Sequence, residues 1–245
     1  MLGGLDRPTE GKVFVDGKDI FALKDEELTI FRRRKIGFVF QAYNLVPVLN
    51  VYENIVLPIE LDGGKIDRKF IDSITETLGL QQRLDALPGQ LSGGQQQRVA
   101  IARALAAAPA IILADEPTGS VDTKTADIIF DIFRELNRNG QTILIVTHDI
   151  ALSKKVRRVV AIRDGKISSE RILKEKYADR LKELTVDWRN EDTQEEYAVI
   201  DKAGRVQIPR ELWDKLALRD NKVKLELRGD EILLSRPAED ENRNM

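Results

Sequence analysis

Five short stretches place polar or glycine residues where apolar runs end or helices begin. The run IGFVF leads into Gln41, AIILA delivers Asp115 and Glu116, and ILIVT ends at His148, the only histidine in the chain. In LSGGQQQRVAIARAL, Ser92, Gly93, Gly94 and Gln95 stand where a helix starts, and GSVD sets Asp122 before another. A helix start offers backbone amides with no partner inside the helix, and glycines let an anion approach them. Two carboxylates after an apolar strand can divide the work of phosphoryl transfer. One holds Mg²⁺ through water while its neighbour orients the attacking water. Taken singly these signals differ in weight. A Gln leaving a sheet is ordinarily only polar, a lone His ordinarily structural, and acids after strands are common. The Gly pair with Gln95 to Arg98 behind it is long and specific.

Elements of two kinds must position these residues. Apolar runs rich in β-branched residues at 12–15, 36–40, 110–114, 142–147 and 158–162 read as strands, separated by amphipathic segments over residues 1–172. Near-continuous apolar strands alternating with helices predict an α/β domain with a buried, largely parallel sheet. Ligands of open α/β sheets bind outside the carboxyl ends of the strands, where Gln41, Glu116 and His148 would share one edge.

Beyond residue 172 the pattern changes. Leu173, Tyr177, Leu181, Leu184 and Trp188 recur at helical spacing and predict one face of a helix over 173–189. The stretch to 194 is a charged linker. Residues 195–236 form a separate β-rich module: two short strands around Lys202-Ala203-Gly204, a helix opened by Pro209, then two strands joined at Gly229-Asp230. The tail 237–245 has nothing to pack and is expected to be disordered.

Bulk composition excludes several classes. The 245 residues carry a net charge of −2, with 42% hydrophobic and 33% charged residues and no cysteine. No overall basic field points to nucleic acid, and disulfides and thiolate metal sites are ruled out. The longest apolar runs are too short to span a bilayer and no leader is evident, so the protein is expected in the cytoplasm, meeting a membrane only through a partner.

In this order, the five stretches closely resemble the ATPase subunits of ATP-binding cassette (ABC) transporters, over residues 1 to about 172. The resemblance implies a P-loop NTPase-type ABC ATPase domain with ATP and Mg²⁺ as cofactors. It assigns Gln41 to the Q-loop and to Mg²⁺, Ser92 to Gln95 to the signature that completes the opposite subunit's site, and Asp115 to Mg²⁺. Glu116 is implied as catalytic base, Asp122 as the D-loop acid and His148 as a catalytic γ-phosphate sensor. The implied partners are a second ATPase subunit, closing head to tail, and an integral membrane permease gripped by the segment from Gln41 to Pro88. The stretches LGGLDRPTEG and QAYNLVPVLNVYENIVLP look like the branch that serves macrolide- and lipoprotein-exporter-type permeases. The family's Walker A loop, G-x-x-x-x-G-K-[ST], has no match in the chain. The expectation is a chain truncated ahead of residue 1 and inactive on its own. Its alternative is a degenerate subunit that donates only its signature in a heterodimer.

Residues 195–236, with GRVQIP at their centre, resemble the AbrB/SpoVT swapped-hairpin domains, although Asp220-Asn221 replaces the family's Gly after the helix. The resemblance implies dimerisation or DNA binding, with Lys202, Arg205 and Arg210 as candidate DNA contacts. Residues 197–236 hold nine Lys/Arg and seven Asp/Glu, a balance of +2, and DNA binding wants a clustered basic face. Dimerisation is therefore the expectation and a DNA-binding regulator the alternative.

Overall fold

The computed structural model describes residues 1–163, 165–173, 194–200, 204–206, 208, 212, 214, 215 and 223–235. By contacts the chain divides into two compact units, Met1–His148 and Asp149–Met245.

In the first unit a small antiparallel ribbon, β1 (Phe14–Val15) and β2 (Lys18–Asp19), precedes helix α1 (Asp25–Lys35). Acidic Asp25, Glu26 and Glu27 fill the first turn of α1 and Arg32 to Lys35 the last, each sign matched to its end of the helix dipole. Strand β3 (Ile36–Val39) follows. Next come helices α2 (Val51–Leu61), α3 (Arg68–Thr77) and α4 (Gly93–Ala106), strand β4 (Ile111–Asp115), helix α5 (Thr123–Arg138) and strand β5 (Thr142–Val146). Strands β3, β4 and β5 form one parallel sheet in that order, with Val39 opposite Ala114 and Ala114 opposite Ile145. The run at 12–15 yields only a two-residue strand outside that sheet.

Side-chain caps start these helices. Asn50 and Ser92 each accept from the backbone N–H three residues on, while Glu53 and Gln95 reach back to the cap's own N–H. The main core lies where α2, α3, α4 and α5 meet the sheet, through Val39, Ile55, Ile71, Ile101, Ile112 and Ile129, each 1% exposed or less. A second cluster, Val15, Ile20, Leu28 and Ile36, lies under α1. Gly37 marks the closest approach of helix to sheet: a Cβ there would stand 2.6 Å from the carbonyl oxygen of Ala104 on α4.

One core residue breaks the apolar pattern. Gln97 of α4 is fully buried, and among the described residues neither atom of its amide has a hydrogen-bond partner. A buried polar group without a partner costs about 1–3 kcal/mol. Gln97→Met, near in volume, is therefore expected to raise the unfolding free energy by an amount in this range. Denaturant unfolding of the two chains checks it, and a less stable variant would mean that the amide is satisfied in solution.

The second unit opens with helix α6 (Ile150–Ser153) and an antiparallel sheet of β6 (Arg158–Arg163), β7 (Lys166–Leu173) and β8 (Gln194–Ala198). The 158–162 run thus joins an antiparallel sheet instead of the parallel one. The connection from Arg163 to Lys166 allows a hairpin, whereas a parallel partner needs a crossover of a dozen residues or more. Leu173, placed by spacing on a helix, is the buried last residue of β7 opposite Gln194, so strand pairing crosses the change of pattern at 172/173. Tyr177, Leu181, Leu184 and Trp188 lie outside the described residues, as does the tail 237–245. Ile200 and Val206 form an isolated antiparallel bridge, and β9 (Lys224–Arg228) pairs with β10 (Glu231–Ser235) across Gly229-Asp230. Among the described residues no helix is long and apolar enough to cross a membrane.

Candidate functional site

Parallel strands end together, so the residues that follow them collect on one edge. Gln41 comes two residues after β3, Glu116 directly after β4 and His148 two residues after β5. Asp115, the last residue of β4, pairs with Val146 and is exposed.

Glu116 is the best-held of these groups. Its backbone N–H donates to the carbonyl of Val146 at 2.9 Å, and its φ of 44° lies in the left-handed region that non-glycine residues rarely occupy. Its carboxylate Oε2 accepts from the Thr147 hydroxyl at 2.9 Å. Oε1 accepts from the His148 N–H at 2.9 Å and lies 2.7 Å from His148 Nδ1. Any contact of the imidazole with a phosphate would therefore run through Nε2. The Gln41 side chain lies against the turn after Glu116: a Cβ on Gly119 would meet its Nε2 at 2.9 Å and the Glu116 carbonyl at 3.4 Å. Gln41 and His148, separated in sequence from Glu116, thus both lie beside it, one near the turn that follows it and the other on its carboxylate. Thr147 and Gly119 belong to the same arrangement, and only the tertiary contacts reveal their part.

Burial pushes the Glu116 carboxyl upward, but the donors from His148 and Thr147 outweigh it and hold the group below its ordinary value of 4.5. A carboxyl depressed on folding adds stability that is present above its unfolded value and lost as pH falls through its folded one. The clasp between Glu116 and the 147–148 segment is therefore expected to stay closed near neutral pH and to open only as pH falls through the lowered value of the carboxyl, beneath its ordinary 4.5. A pH titration of the His148 amide resonance reads this directly, and a resonance unmoved across that range would contradict it.

The Gly-rich helix start is built as the sequence predicts, with an added reason for its glycines. The Ser92 hydroxyl accepts from Gln95 N–H at 3.3 Å, and Gln95 Oε1 accepts from Ser92 N–H at 2.9 Å. A Cβ on Gly93 would lie 2.8 Å from the Tyr43 hydroxyl, and one on Gly94 2.3 Å from Thr125 Cγ2. These glycines are required by packing inside the chain as well as by any anion. Asp122 caps α5, accepting from Thr125 N–H at 3.1 Å and from the Thr125 hydroxyl at 2.7 Å, and these bonds hold its carboxyl below the ordinary value.

Among the described residues no group of three or more His, Cys, Asp or Glu side chains could hold a metal. Mg²⁺ needs no such cage. It keeps most of its waters and takes one or two protein oxygens beside phosphates, which an exposed Asp115 carboxylate and a Gln41 amide oxygen suit. Of the candidate DNA contacts, Arg205 is exposed, and Lys202 and Arg210 lie outside the described residues.

A parallel sheet with acid, amide and imidazole on its carboxyl edge, together with a glycine-rich helix start, is an α/β arrangement of the kind that meets anionic ligands at its strand ends. The profile of the family described as "ABC transporter" matches residues 1–119. An uncharacterized ABC transporter ATP-binding protein of Thermotoga maritima is 50% identical over 169 residues, spanning 68% of this chain and 72% of that protein. The lipoprotein-releasing system ATP-binding protein LolD of Aquifex aeolicus is 43% identical over 173 residues, 69% of this chain and 77% of that protein. The dimeric post-hydrolysis structure of the ATP-binding cassette MJ0796, bound to ADP and Pi, superposes with a TM-score of 0.61 at 44% identity, covering 69% of this chain and 75% of that one. This chain belongs to the family of ABC transporter ATP-binding proteins.

Proposed function

We propose that this chain is the ATP-binding and ATP-hydrolysing subunit of an exporter-type ABC transporter, acting on a separate membrane permease. The observation that carries the reading is the meeting of Gln41, Glu116 and His148 on the carboxyl edge of the parallel sheet, with Glu116 fixed by Thr147 and His148. The similarity to LolD and to a dimeric, ADP- and Pi-bound cassette supports it. In this reading two subunits close head to tail around ATP. Ser92, Gly93, Gly94 and Gln95 face the other subunit's γ-phosphate, where a helix N-terminus stabilises developing negative charge. Asp115 and Gln41 hold Mg²⁺, which neutralises phosphate charge when bound. Glu116 takes the proton of the attacking water, and His148 reports whether the γ-phosphate is present.

The second unit supplies a dimer clamp. Supporting this, Leu225, Leu227 and Ile232 of the β9–β10 hairpin are each more than 60% exposed, with Leu227 opposite Ile232. A lone two-stranded hairpin is marginal in water and gains from a cover.

The test is Mg-ATP hydrolysis by the full chain, alone and mixed with a family subunit that carries G-x-x-x-x-G-K-[ST]. Activity lost on Glu116→Gln as well as on Ser92→Arg is the expected result, whereas activity in the mixture only, insensitive to Glu116→Gln, would mark a subunit that donates only its signature. No nucleotide binding and no activity in either setting would overturn the reading, and salt-sensitive binding of duplex DNA instead would favour a regulator.

A further inference from the structure

The loop between Gln41 and α2 is held from three sides, with more care than a connection requires. From α4, Arg103 donates Nη1 to the carbonyl of Asn44 at 2.6 Å and Nη2 to that of Tyr43 at 2.8 Å. Tyr43 and Asn44 both have left-handed backbones, with φ of 58° and 50°. Such consecutive residues are strained, and strain of this kind persists only where the surroundings impose it. From the other direction, the Tyr43 hydroxyl donates to the carbonyl of Ser120 at 3.3 Å, two residues ahead of Asp122. The same hydroxyl lies 2.8 Å from the place a Cβ would take on Gly93. The third hold is Asn54, which binds Val46 and Leu49 further along.

We propose that Arg103 and Tyr43 are positioning residues: together they tie the Gln41 loop to the Ser92–Gln95 helix start and to the turn before Asp122, so that these three parts move as one body. The proposal rests on the hydrolytic reading above for its consequence, but its geometry stands without it. Chemistry favours these residue types over mere fillers. Two neighbouring carbonyls are met at once by the planar fork of a guanidinium, which the ammonium of a lysine cannot reproduce. Burial also pushes the Arg103 guanidinium below its ordinary value, a penalty that simple packing would not have required. On Tyr43, the hydroxyl rather than the ring makes the bond to Ser120.

Hydrogen exchange of the full chain, compared for wild type, Arg103→Lys, Arg103→Met and Tyr43→Phe, tests this. Both Arg103 variants are expected to raise exchange over 43–46 about tenfold or more, which equals about 1.4 kcal/mol of local stability, while β4 stays protected. Tyr43→Phe keeps the ring and is expected to raise exchange at 119–122 alone. In hydrolysis, all three variants should lower kcat severalfold at unchanged KM for ATP. Exchange at wild-type level in 43–46 for Arg103→Lys, or an equal rise throughout β3 and β4, would overturn the proposal. So would Tyr43→Phe with unaltered exchange at 119–122. A wild-type chain with no ATP binding or hydrolysis, alone or mixed, would instead sink the hydrolytic reading, and the exchange result would still decide the clamp.

Discussion

Glu116→Gln is expected to lower Mg-ATP hydrolysis by about two to four orders of magnitude, the usual contribution of a positioned general base. The substitution preserves shape and removes the charge. The amide also brings a donor where Glu116 accepts on both oxygens, from Thr147 on one side and His148 on the other. The Thr147 hydroxyl can turn to accept from that amide while the remaining oxygen still accepts from the His148 N–H, so the 147–148 segment should stay in place as the chemistry is lost. Nucleotide binding is not expected to fall, because Glu116 is proposed to meet the water and not the phosphates. Single-turnover hydrolysis together with equilibrium ATP binding separates the two effects. A rate within a few fold of wild type would reduce Glu116 to a structural role, however well it is held.

The second large effect is expected at Asn54, a residue that touches no nucleotide in the proposed reading. It is fully buried on α2, and its side chain meets four backbone groups, its two amide hydrogens shared among three carbonyls. Its Oδ1 accepts from Val46 N–H at 2.8 Å, while Nδ2 reaches the carbonyls of Val46, Leu49 and Asn50 at 3.1, 2.9 and 3.0 Å. Asn54→Ala leaves the Val46 N–H and the Leu49 carbonyl to find water or go without, while the Val46 and Asn50 carbonyls still accept from the N–H groups of Leu49 and residue 54, and each buried group left unpaired costs about 1–3 kcal/mol. Partial relaxation of a loop this near the surface holds the total to roughly 3 kcal/mol. Denaturant unfolding measures that loss. Proteolysis should then cut within 44–50 ahead of global unfolding, and a variant with unchanged stability would show that these bonds are replaceable by solvent.

Much of this architecture is legible without coordinates. The runs at 36–40, 110–114 and 142–147 read as strands because buried parallel strands need apolar residues on both faces, and a polar residue at the carboxyl end marks where each leaves the core. Two helix starts are equally plain: Ser92 and Asp122 are oxygen-bearing side chains just ahead of helical spacing, and both cap a helix. The failures share a cause. Phe14–Val15 and Arg158–Arg163 have strand composition, yet strand composition does not say which partner a strand will find. Leu173 fits a helical stripe and closes a strand, because pairing with β8 outweighs a weak local pattern.

What the sequence by itself determined is the inventory of elements: the apolar strands, the polar residues that end them and the helices behind their caps. These follow from composition, periodicity and capping, all local, whereas the roles proposed for the polar residues come from the resemblance to a family. Only the tertiary structure decided how that inventory is held. Thr147 is a bystander in sequence and a donor to Glu116 in space because β4 and β5 lie in one register. Arg103, Tyr43 and Asn54 give no local signal at all, since each acts on backbone carbonyls or amides brought near by the fold, and a carbonyl has no letter in the sequence. Gly93 and Gly94 suggest an anion when read along the chain, and only the fold adds that a side chain at either would press on Tyr43 or Thr125.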